Sequence, residues 1–237
     1  MIRPILPALF ALVVLQIHPL SAADAPPVKI VIVGDSTVCD YPPESPARGW
    51  GQFIADYFDD SVKVVNLAAG GRSTKTFIAE GRWAKALEEK PALILIQFGH
   101  NDSHAKEKPE ATDAATDYPA NLRRYIDDAR QVGATPVLIT PMCRRTFNLD
   151  GTLEDILQPY ADAMKAVGAE KRVAVIDLHA MSRELYLQLG ETNCLELANA
   201  PGDRTHFGEK GARKMAELVM SKFAAAAPDW TARLKKR

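Results

Sequence analysis

The sequence predicts an α/β fold, a three-layer sandwich in which a five-stranded parallel sheet lies between two layers of helices. Three observations support this fold class. Five short runs are rich in Val, Ile and Leu, which is typical of strands buried on both faces. Amphipathic stretches separate these runs, and a regular alternation of strand and helix builds right-handed βαβ crossovers. No repeat, low-complexity tract or interdomain linker interrupts the pattern, so we expect a single domain.

The predicted elements are five strands and six helices. The strands are expected at 29–33, 62–66, 93–98, 135–139 and 173–177. The apolar spacing predicts helices at 50–58, 83–89, 118–132, 153–169, 180–189 and 209–226. Gly133 and Gly168 lie at the ends of two helical stretches, and we interpret both as helix C-terminal stops.

Residues 1–23 have the features of a secretory signal peptide. Arg3 precedes an apolar stretch over 5–17, and small residues at 21–23 follow it. A membrane anchor is the alternative, but this stretch is shorter than the roughly 18 residues of a spanning helix. We therefore expect cleavage after position 23, a domain over 24–237 without stable membrane insertion, and a secreted or periplasmic protein.

Charge and cysteine content exclude several classes of function. The formal net charge is −1, which argues against electrostatic capture of nucleic acid. Cys39, Cys143 and Cys194 are too few and too far apart for a CxxC zinc site. In an oxidising compartment two of them can pair, but the sequence does not indicate which two. The chain also lacks the GxSxG, GxGxxG and P-loop motifs.

Polar segments follow several of the predicted strands. In a doubly wound sheet, ligands bind outside the carboxyl ends of the strands. Gly34-Asp35-Ser36 follows the first strand, and PGDRTHF (201–207) follows the last strand and a helix. NLAAGGRST (66–74) and QFGHND (97–102) follow the second and third strands. We therefore expect these segments to meet at one edge of the sheet.

Ser36 is either a turn residue or a nucleophile, and the second role requires a base. His206 is the candidate base, because Asp203 lies three residues upstream and can orient its imidazole toward Ser36. The alternative for this Asp/His spacing is a capping or surface pair. Asp177 and His179 lie beside the last strand, and we interpret them as structural.

Ester hydrolysis also needs hydrogen-bond donors for the developing oxyanion. Three donors are candidates: the backbone N–H of Ser36, the backbone N–H of Gly71 and the side-chain amide of Asn101. Ordinary loop and turn roles are the alternatives for Gly71 and Asn101. His100, beside Asn101, is expected to line the same edge.

The four polar segments together resemble the blocks of the SGNH (GDSL-like) hydrolases. The matching residues are Gly34-Asp35-Ser36-Thr37, Asn66 with Gly70-Gly71-Arg72-Ser73, Gly99-His100-Asn101-Asp102 and Asp203-Arg204-Thr205-His206. The resemblance covers essentially the whole chain after residue 23. It implies the flavodoxin-like fold of that family, Ser36 as nucleophile, and His206 as base oriented by Asp203. It also implies Gly71 and Asn101 as oxyanion donors and no metal or organic cofactor.

Thr37 departs from the commonest family pattern, in which Leu follows the serine, and is similar to the rhamnogalacturonan acetylesterase branch. This resemblance implies a secreted serine esterase that removes O-acetyl groups from a plant cell-wall polysaccharide, with acetylated rhamnogalacturonan, a pectin, as the leading hypothesis. A lipase or thioesterase of the same superfamily is the first alternative. A non-catalytic carbohydrate-binding protein is the second.

Four arginines near the predicted site are candidates for binding the carboxylates of a uronic-acid polymer, because a guanidinium pairs with a carboxylate through two hydrogen bonds. They are Arg48, Arg72, Arg144 and Arg145. Solvated surface arginines are the alternative interpretation. Trp50 begins a predicted helix, and we expect it in the core rather than against a sugar ring.

Overall fold

The computed structural model describes residues 26–236, and its centre is one sheet of five parallel strands. The strands are β1 (Val28–Gly34), β2 (Val62–Asn66), β3 (Leu93–Gln97), β4 (Thr135–Ile139) and β5 (Ala174–Ile176). Their order across the sheet is β2-β1-β3-β4-β5, and every neighbouring pair is parallel. The strand order reverses beside β1, which creates a crevice at the carboxyl ends of β1 and β3 where ligands bind in such folds. The predicted fold class is confirmed.

Helices cover both faces of this sheet. The α-helices are α1 (Thr74–Ala79), α2 (Arg82–Glu88), α3 (Asp117–Gln131), α4 (Gln158–Lys171), α5 (Leu178–Cys194) and α6 (Glu209–Ala226). Three 3-10 helices span Trp50–Tyr57, Leu195–Leu197 and Pro228–Arg233.

The core has two parts because successive side chains of a strand point to opposite faces. Ile30 and Ile32 of β1 pack with buried residues of the 3-10 helix Trp50–Tyr57, α5 and α6. Val31 and Val33 pack on the other face with buried residues of α1 to α4. All of β3 is buried, as the uninterrupted apolar pattern predicts.

The predicted strands differ from the observed ones by at most one residue at either end. β2 and β4 have the predicted bounds, whereas β5 is one residue shorter at each end. Asp177 lies outside β5 because its carboxylate accepts the Ala180 N–H at 3.1 Å and caps α5.

The helix predictions are less accurate. Gly133, at φ +80°, follows α3 as expected, but the interpretation of Gly168 as a stop is wrong, because it lies inside α4. A Cβ at Gly168 would lie 2.2 Å from a methyl carbon of Val175, so this glycine lets α4 pack closely on β5. The helix ends instead at Arg172, which adopts a left-handed conformation with φ +53°.

Two other predictions concern the termini and the cysteines. The predicted signal peptide lies outside the described residues. Within 26–236, none of the helices combines the length and the apolar character that crossing a bilayer requires. Cys39, Cys143 and Cys194 are all buried and free, so none of the possible pairs is joined.

Candidate active site

Ser36 lies in the turn that follows β1, at the carboxyl edge of the sheet. Asp35, which is fully buried, shapes this turn by accepting hydrogen bonds from the Thr37 N–H at 2.9 Å and the Thr37 hydroxyl at 2.7 Å. The Tyr41 hydroxyl donates to the Ser36 carbonyl at 2.9 Å. The backbone on both sides of Ser36 is therefore fixed, and its hydroxyl faces the crevice beside β1.

The structure brings the three predicted catalytic residues together in one chain of hydrogen bonds. Ser36 Oγ lies 2.9 Å from His206 Nε2, and His206 Nδ1 lies 2.9 Å from Asp203 Oδ2. Because Asp203 as a carboxylate only accepts hydrogen bonds, it favours the tautomer with the proton on Nδ1. This tautomer leaves Nε2 free to accept the Ser36 proton.

Asp203 remains ionised because the surrounding chain stabilises its negative charge. Partial burial raises the pKa of this carboxyl, but hydrogen bonds from the backbone N–H groups of His206 and Thr205 and from the imidazole outweigh burial, and the net pKa is lowered. Both N–H groups donate to Asp203 Oδ1 at 2.7 Å, which leaves Oδ2 for the imidazole.

Two of the three predicted oxyanion donors are free in the described part of the chain. Neither the Ser36 N–H nor the Gly71 N–H donates a hydrogen bond within residues 26–236. Gly70 passes beside the nucleophile, since a Cβ there would lie 3.6 Å from the Ser36 Cβ. Gly71 has φ +77°, a conformation that glycine adopts without strain.

Asn101 is held in place by the loop that carries Gly71. Its side-chain Nδ2 donates to the Arg72 carbonyl at 3.0 Å, and the residue is buried. An amide nitrogen carries two protons, so the second remains available for an oxyanion.

Asp102 joins these two loops, a role that no spacing in the sequence predicts. Its carboxylate accepts the Thr74 N–H at 3.1 Å, the Thr74 hydroxyl at 2.5 Å and the Thr112 hydroxyl at 2.9 Å. Burial raises the pKa of Asp102 to about 7, against the lowering effect of the hydrogen bonds from these threonines. Thr74 lies three residues after Gly71 and Asp102 follows Asn101, so this contact fixes the separation of the loops.

His100 does not line the edge of the sheet as predicted. It is buried beneath the site, with Nδ1 at 3.4 Å from the Asp35 carboxylate. Burial lowers the pKa of His100 despite the neighbouring negative charge of Asp35. The His100 side chain therefore contacts the residue before the nucleophile and is not available to a polymer outside.

These features lie within a segment that matches a known family. The family model described as the GDSL-like lipase/acylhydrolase family matches residues 32–214. The chain belongs to this family. It is accordingly an enzyme, a carboxylic ester hydrolase, and the observed α/β fold is that of the SGNH hydrolases.

Two relatives in this family come from Bacillus subtilis strain 168. The rhamnogalacturonan acetylesterase RhgT is 41% identical over 208 residues, which cover 81% of this chain and 88% of that protein. The probable rhamnogalacturonan acetylesterase YesY is 39% identical over 196 residues, which cover 80% of this chain and 89% of that protein.

Two solved structures have the same fold. The crystal structure of YxiM from Bacillus subtilis aligns with a TM-score of 0.75 at 28% identity and covers 84% of this chain, which spans 56% of that protein. The acetylxylan esterase Axe2 from Geobacillus stearothermophilus aligns with a TM-score of 0.65 at 20% identity, over 82% of this chain and 93% of Axe2.

The arginines proposed to bind a uronate are all engaged by the esterase itself. Arg48 donates to backbone carbonyls of 42–47, and Arg72 donates to the Gly70 carbonyl and pairs with Glu80. Arg144 donates to the Thr205 hydroxyl and the His100 carbonyl. Arg145 is only 1% exposed and is therefore excluded as a group that contacts a polymer. Trp50 is buried, as predicted, and donates to Gln97 at 2.8 Å.

One cluster of side chains has the composition of a metal site. Ligand atoms of Cys143, Asp155 and His179 lie within 4.8 Å of one another. Asp155 already accepts a hydrogen bond from His179 Nε2 at 2.8 Å and lies 3.5 Å from the Arg183 guanidinium. The Arg183 charge opposes a cation at this position. Burial also raises the pKa of the Cys143 thiol to about 12, so the thiol is a weak ligand and a weak nucleophile.

Proposed function

We propose that this esterase removes O-acetyl groups from acetylated rhamnogalacturonan, with Ser36, His206 and Asp203 as its catalytic residues. The hydrogen-bonded chain from Ser36 Oγ through His206 to Asp203, with two spacings of 2.9 Å, carries this proposal. The identity to RhgT over most of both chains supports the carbohydrate acetylesterase class.

The proposed reaction proceeds in two acyl-transfer steps. Ser36 Oγ attacks the acetyl carbonyl carbon while His206 Nε2 takes the hydroxyl proton. The N–H groups of Ser36 and Gly71 and the amide of Asn101 donate to the oxyanion. His206 then protonates the departing sugar oxygen, which leaves an acetyl group on Ser36. Water attacks this acetyl-enzyme, His206 accepts its proton and returns it to Ser36, and acetate leaves.

The substrate test measures acetate release by the mature protein, with Ser36→Ala as the control. The matched substrates are acetylated rhamnogalacturonan, acetylated xylan and nitrophenyl esters of fatty acids. We expect acetate from rhamnogalacturonan and none from the Ser36→Ala protein. Acetate release from xylan alone would reject rhamnogalacturonan as the substrate but would still support a carbohydrate acetylesterase. A preference for long acyl chains would favour the lipase alternative. A folded protein that hydrolyses none of these and gives no adduct with a fluorophosphonate would favour the carbohydrate-binding alternative.

We also propose that the protein is exported and cleaved after Ala23. The charged start, apolar stretch and small residues of 1–23 support this step. N-terminal sequencing of the full chain produced in a bacterial host should give a mature protein that begins at Asp24. An uncleaved protein that stays with the membrane fraction would reject export and favour an anchor.

A further inference from the structure

Arg145 is a fully buried cation outside the proposed catalytic triad. It is 1% exposed, and it forms no ion pair with a carboxylate among residues 26–236. Taking a guanidinium out of water costs several kcal/mol unless other groups solvate it. The position of its hydrogen-bond acceptors therefore shows what this side chain stabilises.

The carbonyls that accept the hydrogen bonds of Arg145 lie on the loop that carries the base, and the Tyr186 hydroxyl of α5 also interacts with Arg145. Arg145 Nη2 donates to the His206 carbonyl at 2.7 Å and to the Asp203 carbonyl at 3.2 Å. Its backbone N–H donates to the Arg204 carbonyl at 2.9 Å. Its guanidinium carbon lies 4.5 Å from the centre of the Phe207 ring, within the range of a cation–π contact.

The neighbouring Arg144 also binds this loop. It donates to the Thr205 hydroxyl and, at 3.2 Å, to the His100 carbonyl. It thus links the loop from Asp203 to His206 with the loop that carries His100 and Asn101. Arg145 itself contacts neither the imidazole nor Ser36, but it binds both ends of the turn from Asp203 to His206.

We propose that Arg145 is a positioning residue that holds His206 within hydrogen-bond distance of Ser36. The loop from Asp203 to His206 lies between α5 and α6 and does not follow a strand directly, so no sheet register fixes its height above Ser36. Just after His206, the Phe207 carbonyl accepts the Arg48 N–H at 2.8 Å, and Arg145 holds the turn before this bridge. Both hydrogen bonds come from Nη2, whose two protons lie in the rigid plane of the guanidinium and reach two carbonyls of the loop at once. The ammonium of lysine, at the end of a flexible stem, does not reproduce this planar geometry. Because Ser36 and His206 have their roles in the proposed function, this inference rests on it.

The test compares Arg145→Lys with wild type by the rate and the extent of fluorophosphonate labelling, together with kcat and KM for an acetyl ester. The final extent of labelling gives the fraction of protein with a competent site. The rate constant of labelling reports how well His206 is positioned to act as base. We expect complete labelling at a rate constant about 10- to 100-fold lower, an equal fall in kcat and a KM within about twofold, because a displacement near 1 Å has effects of this size.

Arg213→Lys is the matched control, since Arg213 also lies over a phenylalanine, with its guanidinium carbon 4.1 Å from the Phe53 ring centre. It pairs with Glu209 on the exposed side of α6, and its replacement should leave the labelling rate unchanged. A second variant, Arg145→Ala, should regain part of its labelling rate when methylguanidinium is added at low concentration.

Three results would overturn the inference. An Arg145→Lys protein that labels at the wild-type rate would show that the planar guanidinium is not needed to position His206. Reduced labelling extent at an unchanged rate constant, or variants that do not fold even with methylguanidinium, would assign Arg145 to fold stability alone. Failure of wild-type protein to label at Ser36 would instead reject the proposed function, so the two failures are distinct.

Discussion

The two halves of the candidate site are held in place by different means. Ser36 follows a central strand directly, and its turn is fixed by Asp35 and by the packing of Gly34 against β3. His206 lies in a loop between two helices and reaches Ser36 across 170 positions of sequence. Arg145 and Asp203 hold that loop through hydrogen bonds to its backbone. The nucleophile is therefore positioned directly by the sheet. The base is positioned by Asp203 within its own loop, by Arg145 from a distant part of the chain and by the backbone bond from the Arg48 N–H to the Phe207 carbonyl at 2.8 Å.

The largest expected effect comes from Asp203, the carboxylate in the loop that carries the base. Asp203→Asn places an amide beside His206 Nδ1, which favours the tautomer that carries a proton on Nε2 and blocks its role as base. We expect kcat to fall by about 10⁴-fold. Steady-state kinetics on an acetyl ester would measure this fall.

Asp177→Asn is the control, because Asp177 caps α5 and accepts the Thr140 hydroxyl without contacting the triad. Because asparagine caps a helix about as well as aspartate, this variant should keep nearly the wild-type free energy of unfolding and activity. An Asp203→Asn protein within tenfold of wild type would contradict the assigned orientation of the imidazole.

The next effect tests the donors that lie between the two halves. Asn101→Ala removes the side-chain donor, and we expect kcat to fall by about 10²- to 10³-fold with little change in KM. Asn121→Ala serves as the control, because Asn121 donates to the Thr74 hydroxyl on the same loop without reaching the oxyanion. Equal losses in both variants would mean that Asn101 acts only through loop structure.

Much of this account could be predicted from sequence, because the strands and the site motifs are local patterns. Strands buried on both faces are continuous apolar runs, so their bounds were predicted to within one residue. The short helix α1 was not predicted, since six residues show no clear periodicity. The roles of Arg145 and Asp102 depend on contacts across 58 to 61 and 28 positions, and no spacing in the sequence predicts them.

Glycine substitutions compare the packing of the two halves directly. A Cβ at Gly34 would lie 2.6 Å from the Gln97 carbonyl oxygen in β3, so Gly34→Ala should cost about 3 kcal/mol of unfolding free energy. A Cβ at Gly202, which has φ +79°, would meet nothing within 4 Å, so Gly202→Ala should cost about 1 kcal/mol of backbone strain. Urea denaturation measures both, and a larger cost at Gly202 would reverse the proposed contrast.

The last effect is a pH dependence of stability from Asp102. Burial raises the pKa of Asp102 from 3.8 to about 7 in the folded state, so the protonated form is favoured by folding. Its contribution to the free energy of unfolding is complete below pH 4 and declines as the pH rises to about 7.

Asp102→Asn removes this titration. The free energy of unfolding of wild type relative to Asp102→Asn should therefore fall as the pH rises from about 4 to about 7 and level off above that. The exposed Asp117→Asn, in the first turn of α3, serves as the control for changes in surface charge. A difference between wild type and Asp102→Asn that is constant across this range would contradict the raised pKa.

The most direct test of the two-part site is intact mass and peptide mapping after reaction with a fluorophosphonate, on wild type and His206→Gln. Ser36 Oγ attacks phosphorus and displaces fluoride, and His206 accepts the proton. We predict one adduct per chain, located on Ser36, with a labelling rate at least about 10³-fold lower in the His206→Gln protein. An adduct on another residue, or labelling of Ser36 that does not depend on His206, would contradict the account.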